Sequence, residues 1–236
     1  MSSVIEEMFD QISPRYDCIN RILSWGMDRR WRRQMATHVP LRKKLSLLDL
    51  ATGTGEQLFL LYPLFRSHWS GLAGVDFSSS MLAKAKERWS QSPYAKEREV
   101  EWKRGDITKP LPFAEESFDC ITLSFGLRNV SNRPSCMQEA RRLLRFGGKF
   151  LILEFSLPSF PLFRSPALFY LKHILPSLGG WLSGERAAYQ YLSCSIESFP
   201  TPKEISKELR ENGFSRVIAH PLSLGMVTLY SGEKEE

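Results

Sequence analysis

Gly53 and Gly55 stand one residue apart, directly after the apolar run 47–51 and before a stretch of helical pattern. Lacking a Cβ, a glycine takes positive φ readily and lets the backbone approach a ligand closely. The free N–H groups of a helix start would then face that ligand. Two acids follow at matching places: Asp76 closes the short apolar run 71–76, and Asp106 follows the run 100–104. A carboxylate at a strand end can accept both hydroxyls of a ribose, in charge-assisted hydrogen bonds worth roughly 1.5–3 kcal/mol. Asp106 and its neighbour Ile107 can bracket a purine, the acid on the exocyclic amine and the aliphatic side chain on the ring. Singly these features are weak, since a GxG also occurs in ordinary strand-to-helix turns. Their order after successive strands is the stronger signal, because ligands of open α/β sheets sit at the carboxyl ends of the strands.

Three nucleoside ligands compete for such a turn. Triphosphate binding needs GxxxxGK[ST], which the chain lacks. A dinucleotide turn needs Gly or Ala at the third position of its fingerprint, where this chain has Leu58; that bulk resists close helix–strand packing. S-adenosylmethionine carries no phosphate and needs a close backbone approach for its amino-acid end, an acid for its ribose and an apolar slot for its adenine. The residues at 53–55, 76 and 106–107 offer all three.

The elements around these residues follow from periodicity. Apolar runs predict strands at 45–51, 71–76, 100–104, 117–125 and 149–156, alternating with helices at 56–65, from 78 and from 134 to 145. Pro63 must bend or end the helix at 56–65, Ser78–Ser80 can cap the next, and Gly147-Gly148 would stop the one from 134. Strands alternating with helices argue for a parallel sheet covered on both faces. Ahead of it, residues 4–20 read as a helical entry, and Asp28 offers an N-cap to a helix reaching about His38 with Trp31 and Met35 on one face. Residues 157–182 hold four prolines and many large apolar groups, a helical insertion that either packs on the sheet or covers a pocket for a lipid-like molecule. Further helices are expected at 185–199 and 202–212, and strands at 215–220 and 226–231 suggest a closing antiparallel hairpin.

Composition is that of an ordinary globular chain of 236 residues, read as one domain with a helical cap at 1–44 and an apolar insertion or lid at 157–200. The net charge of +6 is concentrated in Arg29, Arg30, Arg32 and Arg33, and in Arg141, Arg142, Arg145 and Lys149. Such groups mark solvated helix faces, an anionic membrane surface or nucleic acid. The four cysteines form no CxxC pair and the four histidines are dispersed, so neither a metal site nor a disulfide framework is expected, and a reducing cytosol fits. Neither a leader nor a run of 18 apolar residues is expected from the sequence.

Longer blocks narrow the reading. They include Met8-Phe9-Asp10 through Arg15-Tyr16-Asp17, Leu48-Asp49-Leu50-Ala51, Gly53-Thr54-Gly55 and Gly105-Asp106. Leu153-Glu154-Phe155-Ser156 comes further along, and more discriminating are Phe118-Asp119 through Ser124-Phe125-Gly126-Leu127-Arg128-Asn129-Val130 and Tyr189-Gln190-Tyr191-Leu192 with Ser195-Ile196 and Phe199-Pro200. On these blocks the chain resembles, over nearly its whole length, the ubiquinone/menaquinone biosynthesis C-methyltransferases (UbiE/MenG) within the class I S-adenosylmethionine-dependent methyltransferases. The resemblance implies a Rossmann-like seven-stranded α/β sheet, mostly parallel, with a C-terminal antiparallel hairpin, N-terminal helices and a helical insertion. It implies cofactor contacts at Thr54, Asp76, Asp106, Ile107 and Ser124, with Asp49 in the same block as the glycine turn. It implies a polyprenylated quinol substrate, demethylmenaquinol first and a methoxy-polyprenyl benzoquinol as the alternative. A cytoplasmic protein, peripheral at the inner face of the membrane, goes with such a substrate, and a homodimer is compatible with it. Thr52 departs from the resemblance, since a Gly usually precedes the Gly-Thr-Gly turn; a β-branched residue there stiffens the backbone. Ile107 is a second departure, often Ala in relatives.

Methylating a ring carbon requires that a quinol hydroxyl be deprotonated, so that an enolate-like ring carbon faces the sulfonium methyl in line. Arg128, Asn129 and Tyr16 are the candidates to assist. Arginine does not give up its own proton, so Arg128 is assigned to stabilising the phenolate or holding a water, with Tyr16 on the same oxygen. An RNA or protein methyltransferase is the rival suggested by the basic charge, but the loop after the fourth strand reads Gly-Leu-Arg-Asn rather than the Asn/Asp-Pro-Pro-aromatic sequence of base methylation, so no nucleic-acid partner is expected. A degenerate, non-catalytic binding module is a second rival, opposed by the intact acids and glycines.

Overall fold

The structure is a computed structural model and describes residues 21, 24–183 and 186–235. Its centre is a seven-stranded sheet in the order β3-β2-β1-β4-β5-β7-β6. The strands are β1 Leu45–Leu50, β2 Trp69–Asp76, β3 Glu101–Arg104, β4 Phe118–Ser124, β5 Leu144–Phe155, β6 Ser215–Leu222 and β7 Val227–Glu233. The first five are parallel, and β7 lies antiparallel between β5 and β6. The expected hairpin is therefore present, with its second strand inserted next to the parallel set.

Period-two alternation sends successive side chains to opposite faces. Leu48, Leu50, Ile121, Leu123, Phe150 and Ile152 form one core with the helices Arg133–Leu143 and Pro202–Glu211. Leu45, Leu47, Cys120, Leu151 and Leu153 face the other way, onto Trp31, Met35, Leu58, Leu61 and Trp89. Those partners come from α1 Met27–Gln34 and the 3-10 turn after it, α2 Glu56–Leu61, and α3 Ser79–Gln91. Pro63 acts as expected: α2 stops at Leu61 and a 3-10 turn, Tyr62–Phe65, carries the chain on. Ser78 caps α3, accepting the Met81 N–H at 3.2 Å.

Two boundaries differ from expectation. The N-cap of α1 is Gly26, in the left-handed region at φ 72°, while Asp28 sits within the first turn, 3.2 Å from the Ser24 hydroxyl. There the acid still complements the helix dipole. Gly147-Gly148 do not stop the helix before β5, which ends at Leu143; they lie inside β5, where Gly147 at φ 71° donates its N–H to the Lys234 carbonyl. The register of β4 on β5 shifts between Phe118 and Cys120, so the glycines serve a bulge.

The insertion after β5 is helical. Helices Pro161–Phe169 and Leu175–Ser183 are joined by a π turn, Tyr170–Ile174, and Arg186–Glu197 follows. Leu171, Leu175, Ala188, Tyr189 and Ile196 make a small apolar core of their own, with Phe155 and Leu157 packed against it. A Cβ at Gly179 would run into the Tyr189 ring, so the glycine allows these helices to cross closely. No helix among the described residues is long and apolar enough to cross a membrane.

Candidate functional site

Strand order reverses between β1 and β4, and the turns leaving these two strands lie against each other. A Cβ built on Gly126, after β4, would come within 2.8 Å of the Ala51 Cβ, after β1. Ala51 and Phe125 both hold positive φ, 49° and 58°. Such non-glycine conformations cost about 1–3 kcal/mol each and persist only where the surroundings enforce them. Here the Phe125 N–H donates to the Leu153 carbonyl at 2.7 Å and the Thr52 N–H to the Val75 carbonyl at 2.9 Å.

The cleft above these turns gathers Asp49, Gly53, Thr54, Asp76, Asp106, Ile107, Ser124 and Asn129 in its walls. Asp76 accepts the Gly53 N–H on one oxygen at 2.7 Å and the Ser78 N–H on the other at 2.9 Å. It thereby ties the glycine turn to the start of α3. Asp106 accepts both the N–H and the hydroxyl of Thr108, at 3.0 and 2.8 Å. Burial pushes its carboxyl up, but these bonds and Lys109 outweigh it and hold the group below the usual carboxylate range. The Ser124 hydroxyl is 3.0 Å from the Gln57 amide oxygen and 3.3 Å from the Met35 sulfur. Asp49 is buried beneath the cleft and accepts hydroxyls from Thr52 and Thr122, both at 2.6 Å. Burial pushes its carboxyl up to about 6, against the pull of these two bonds. Thr52 thus turns its hydroxyl down onto Asp49 and its methyl toward Gly74.

The two glycines of the turn have different surroundings. A Cβ on Gly53, at φ 56°, would meet nothing within 4 Å, so its backbone is bare toward the cleft. Gly55, at φ 81°, has its Cα against Trp102, which a Cβ would approach to 3.2 Å. Tyr16 lies outside the described residues.

A second space of about 550 Å³ adjoins the cleft, and the two share Arg32, Glu56 and Phe125. Its walls are mostly apolar: Trp31, Phe155, Phe163, Leu171 and Leu175, with Tyr189 and Tyr191. Where the spaces meet, the Phe125 and Phe155 rings pack at 4.7 Å between centroids, tilted by 37°. Arg32 lies 5.0 Å over Phe125, and Arg128 5.4 Å over Phe155. Arg128 is 5% exposed and donates through Nη1 to Glu154 Oε1 at 2.7 Å and to the Phe125 carbonyl at 2.6 Å. Its backbone N–H donates to the other oxygen of Glu154, itself fully buried. Asn129 accepts the Tyr191 hydroxyl at 3.1 Å, joining the cleft wall to the cavity wall. Burial raises the Tyr191 phenol, so it remains a donor at neutral pH.

Glu56 carries three arginines, with Arg29 at 3.0 Å, Arg88 at 2.7 Å and Arg21 at 3.5 Å. Burial alone would raise this carboxyl, but the hydrogen bonds from Arg88 and Arg29 hold it low. Arg32, Glu56, Tyr191 and the two packed phenylalanines line these spaces, and the sequence reading did not single them out. Arg32 stood in a run read as a solvated or lipid-facing surface, and Tyr191 only in a block of resemblance. Among the described residues no group of three or more His, Cys, Asp or Glu is arranged to hold a metal.

Comparison with known proteins matches residues 1–234 to the ubiE/COQ5 methyltransferase family. The ubiquinone/menaquinone biosynthesis C-methyltransferase UbiE of Geotalea daltonii is 40% identical over 98% of this chain and 96% of its own. The demethylmenaquinone methyltransferase of Deinococcus radiodurans is 36% identical over 98% and 92%. The fold is similar to that of an Aquifex aeolicus SAM-dependent methyltransferase, with a TM-score of 0.60 at 14% identity, covering 85% of this chain and 88% of that one.

Proposed function

The chain belongs to the ubiE/COQ5 methyltransferase family, a family of S-adenosylmethionine-dependent C-methyltransferases of quinone biosynthesis, and from that premise we propose that it methylates demethylmenaquinol to menaquinol. The observation that carries the substrate class is the apolar cavity opening onto the cleft at Arg32, Glu56 and Phe125, with a buried arginine in its wall. A polyprenyl tail needs such an apolar enclosure, and a quinol head needs a polar group at its inner end.

The cleft fits S-adenosylmethionine on the donors present. Gly53 and Thr54 would take the methionine end, where the bare glycine backbone leaves room. Asp76 would hold the ribose, and Asp106 and Ile107 the adenine, with Ser124 and Asn129 closing the side toward the cavity. When bound, this cofactor supplies an electrophilic methyl group on a sulfonium.

The remaining work falls to the chain's own residues. A quinol ring carbon becomes nucleophilic when an adjacent hydroxyl loses its proton, and a guanidinium at that oxygen stabilises the anion formed. Arg128 suits this role because Glu154 and the Phe125 carbonyl hold it in place before substrate arrives. Fixed dipoles and charges of this kind need no reorganisation during reaction. Tyr191 and Asn129 orient the same edge of the ring. The packed rings of Phe125 and Phe155 exclude water around it, which strengthens the electrostatics within. We place the cavity mouth at a membrane surface, because Phe160, Leu162 and Trp181 on the insertion are strongly exposed, as are the cavity-wall residues Trp25 and Leu224.

The direct test is methyl transfer by the purified chain to demethylmenaquinol and to a methoxy-polyprenyl benzoquinol of equal tail length. A kcat/KM higher for the naphthoquinol is expected. A preference for the benzoquinol would move the reading to ubiquinone synthesis, and transfer to neither would sink it.

A further inference from the structure

We infer that Arg32 forms the subsite for the methionine carboxylate of the cofactor, at the point where cleft and cavity meet. The inference rests on reading the cleft as the methyl-donor site. Arg32 lines both spaces, its guanidinium lies over the Phe125 ring, and its Nε is buried with no hydrogen-bond partner among the described residues. A buried donor left unpaired costs about 1–3 kcal/mol, more when charged, so a position that keeps one asks for an acceptor from outside the chain.

The surrounding acids do not supply that acceptor. Glu56 is shared among Arg21, Arg29 and Arg88. Asp49 takes the hydroxyls of Thr52 and Thr122, and Asp76 takes two backbone N–H groups. Helix α1 is pinned from below by Gln57, whose amide donates to the Arg32 carbonyl at 3.3 Å, and by Trp31, whose indole N–H donates to the Ser223 hydroxyl at 2.8 Å. The guanidinium is therefore presented on a fixed backbone. Asp76 and Asp106 mark the ribose and adenine end of the cleft, which leaves the end beside Arg32 and Gly53 for the amino acid. A carboxylate is the one anionic group there, and a guanidinium binds it with strong, directional hydrogen bonds. The two arginines over the phenylalanine pair then divide their work: Arg32 takes the cofactor's carboxylate and Arg128 the quinol oxygen.

The test compares two ligands, S-adenosylhomocysteine and its decarboxylated form, which keeps the amine. Their affinities for the full chain are measured by calorimetry in wild type, Arg32→Lys and Arg32→Gln, with the exposed neighbour substitution Arg33→Gln as a charge control. Arg32→Gln should weaken S-adenosylhomocysteine roughly ten- to hundred-fold, the range of one charge-assisted contact. The decarboxylated ligand should bind all four proteins alike, so the affinity ratio falls from wild type through Lys to Gln and stays unchanged in Arg33→Gln. A ratio unchanged in both Arg32 variants overturns the inference, as does an equal fall in Arg33→Gln. A wild-type chain that binds neither ligand overturns the methyl-donor reading of the cleft as well.

Discussion

Asp49 accepts two threonine hydroxyls under the cleft, yet burial still pushes its carboxyl up to about 6 from an ordinary 3.8. A raised carboxyl means the folded chain holds a proton that the unfolded chain releases. Its stabilising contribution is present at acid pH and is lost as pH climbs from about 4 to about 6, by up to about 3 kcal/mol. Asp49→Asn should remove this slope, so the stability of the variant relative to wild type rises across that window and then levels off. Denaturant melts at a series of pH values check it, and parallel curves would refute it. Arg128 poses a different residue-scale question, because its partner Glu154 is fully buried. Arg128→Gln leaves that carboxylate uncompensated, at a cost of roughly 3–5 kcal/mol. Adding Glu154→Gln should restore much of the stability while turnover stays down by about 100-fold or more, the loss typical of a missing oxyanion donor. Cofactor-analogue binding should hold in the double variant. Recovery of turnover along with stability would reduce Arg128 to a structural role.

The turns after β1 and β4 behave as one element, since each fills the space the other leaves. Gly126 has an ordinary φ of −116°, so what forbids a side chain there is the Ala51 methyl. Gly126→Ala should overpack this contact and cost about 1–3 kcal/mol. It should also lower turnover, because Phe125 and Arg128 ride on the same turn. Ala51→Gly removes the opposing methyl at a position whose φ already suits glycine, so the double variant should recover the melting temperature. A Gly126→Ala chain as stable as wild type would show that the turns can part freely.

At the scale of the whole molecule, the parallel sheet carries the cleft proposed for the cofactor, and the later helices roof the apolar cavity beside it. Phe160, Leu162 and Trp181 are 73%, 76% and 82% exposed on that roof, more apolar surface than a solvent-facing helix ordinarily shows. With the membrane placement proposed above, the chain should float with anionic phospholipid vesicles at low salt. Replacing all three residues by Ser should reduce flotation and lower kcat/KM on vesicle-embedded quinol, while activity on a short-tailed soluble quinol is kept. Wild-type chain remaining in the lipid-free fraction would rule the placement out.

Local chemistry alone determined the strands, the glycine turn and the acids at Asp76 and Asp106, because a period-two apolar run, a missing Cβ and a strand-end carboxylate each act within a few residues. Even Pro63 announced the end of its helix. Local pattern was weaker where packing overrode it. Gly147-Gly148 look like a helix stop and serve a strand bulge, since β5 continues under the hydrogen bond to Lys234. The contacts that build the walls of the cleft and cavity were decided by tertiary structure. Asp49 meets Thr122 across 73 residues, Asn129 meets Tyr191 across 62, and Arg128 finds Glu154 only because β4 and β5 are neighbours. A run of arginines reads the same whether it faces solvent, Glu56 or a cofactor. The packing of α1 on α2, just after the glycine turn, sets Arg32 in the walls of both cleft and cavity, where its neighbours in the run are not.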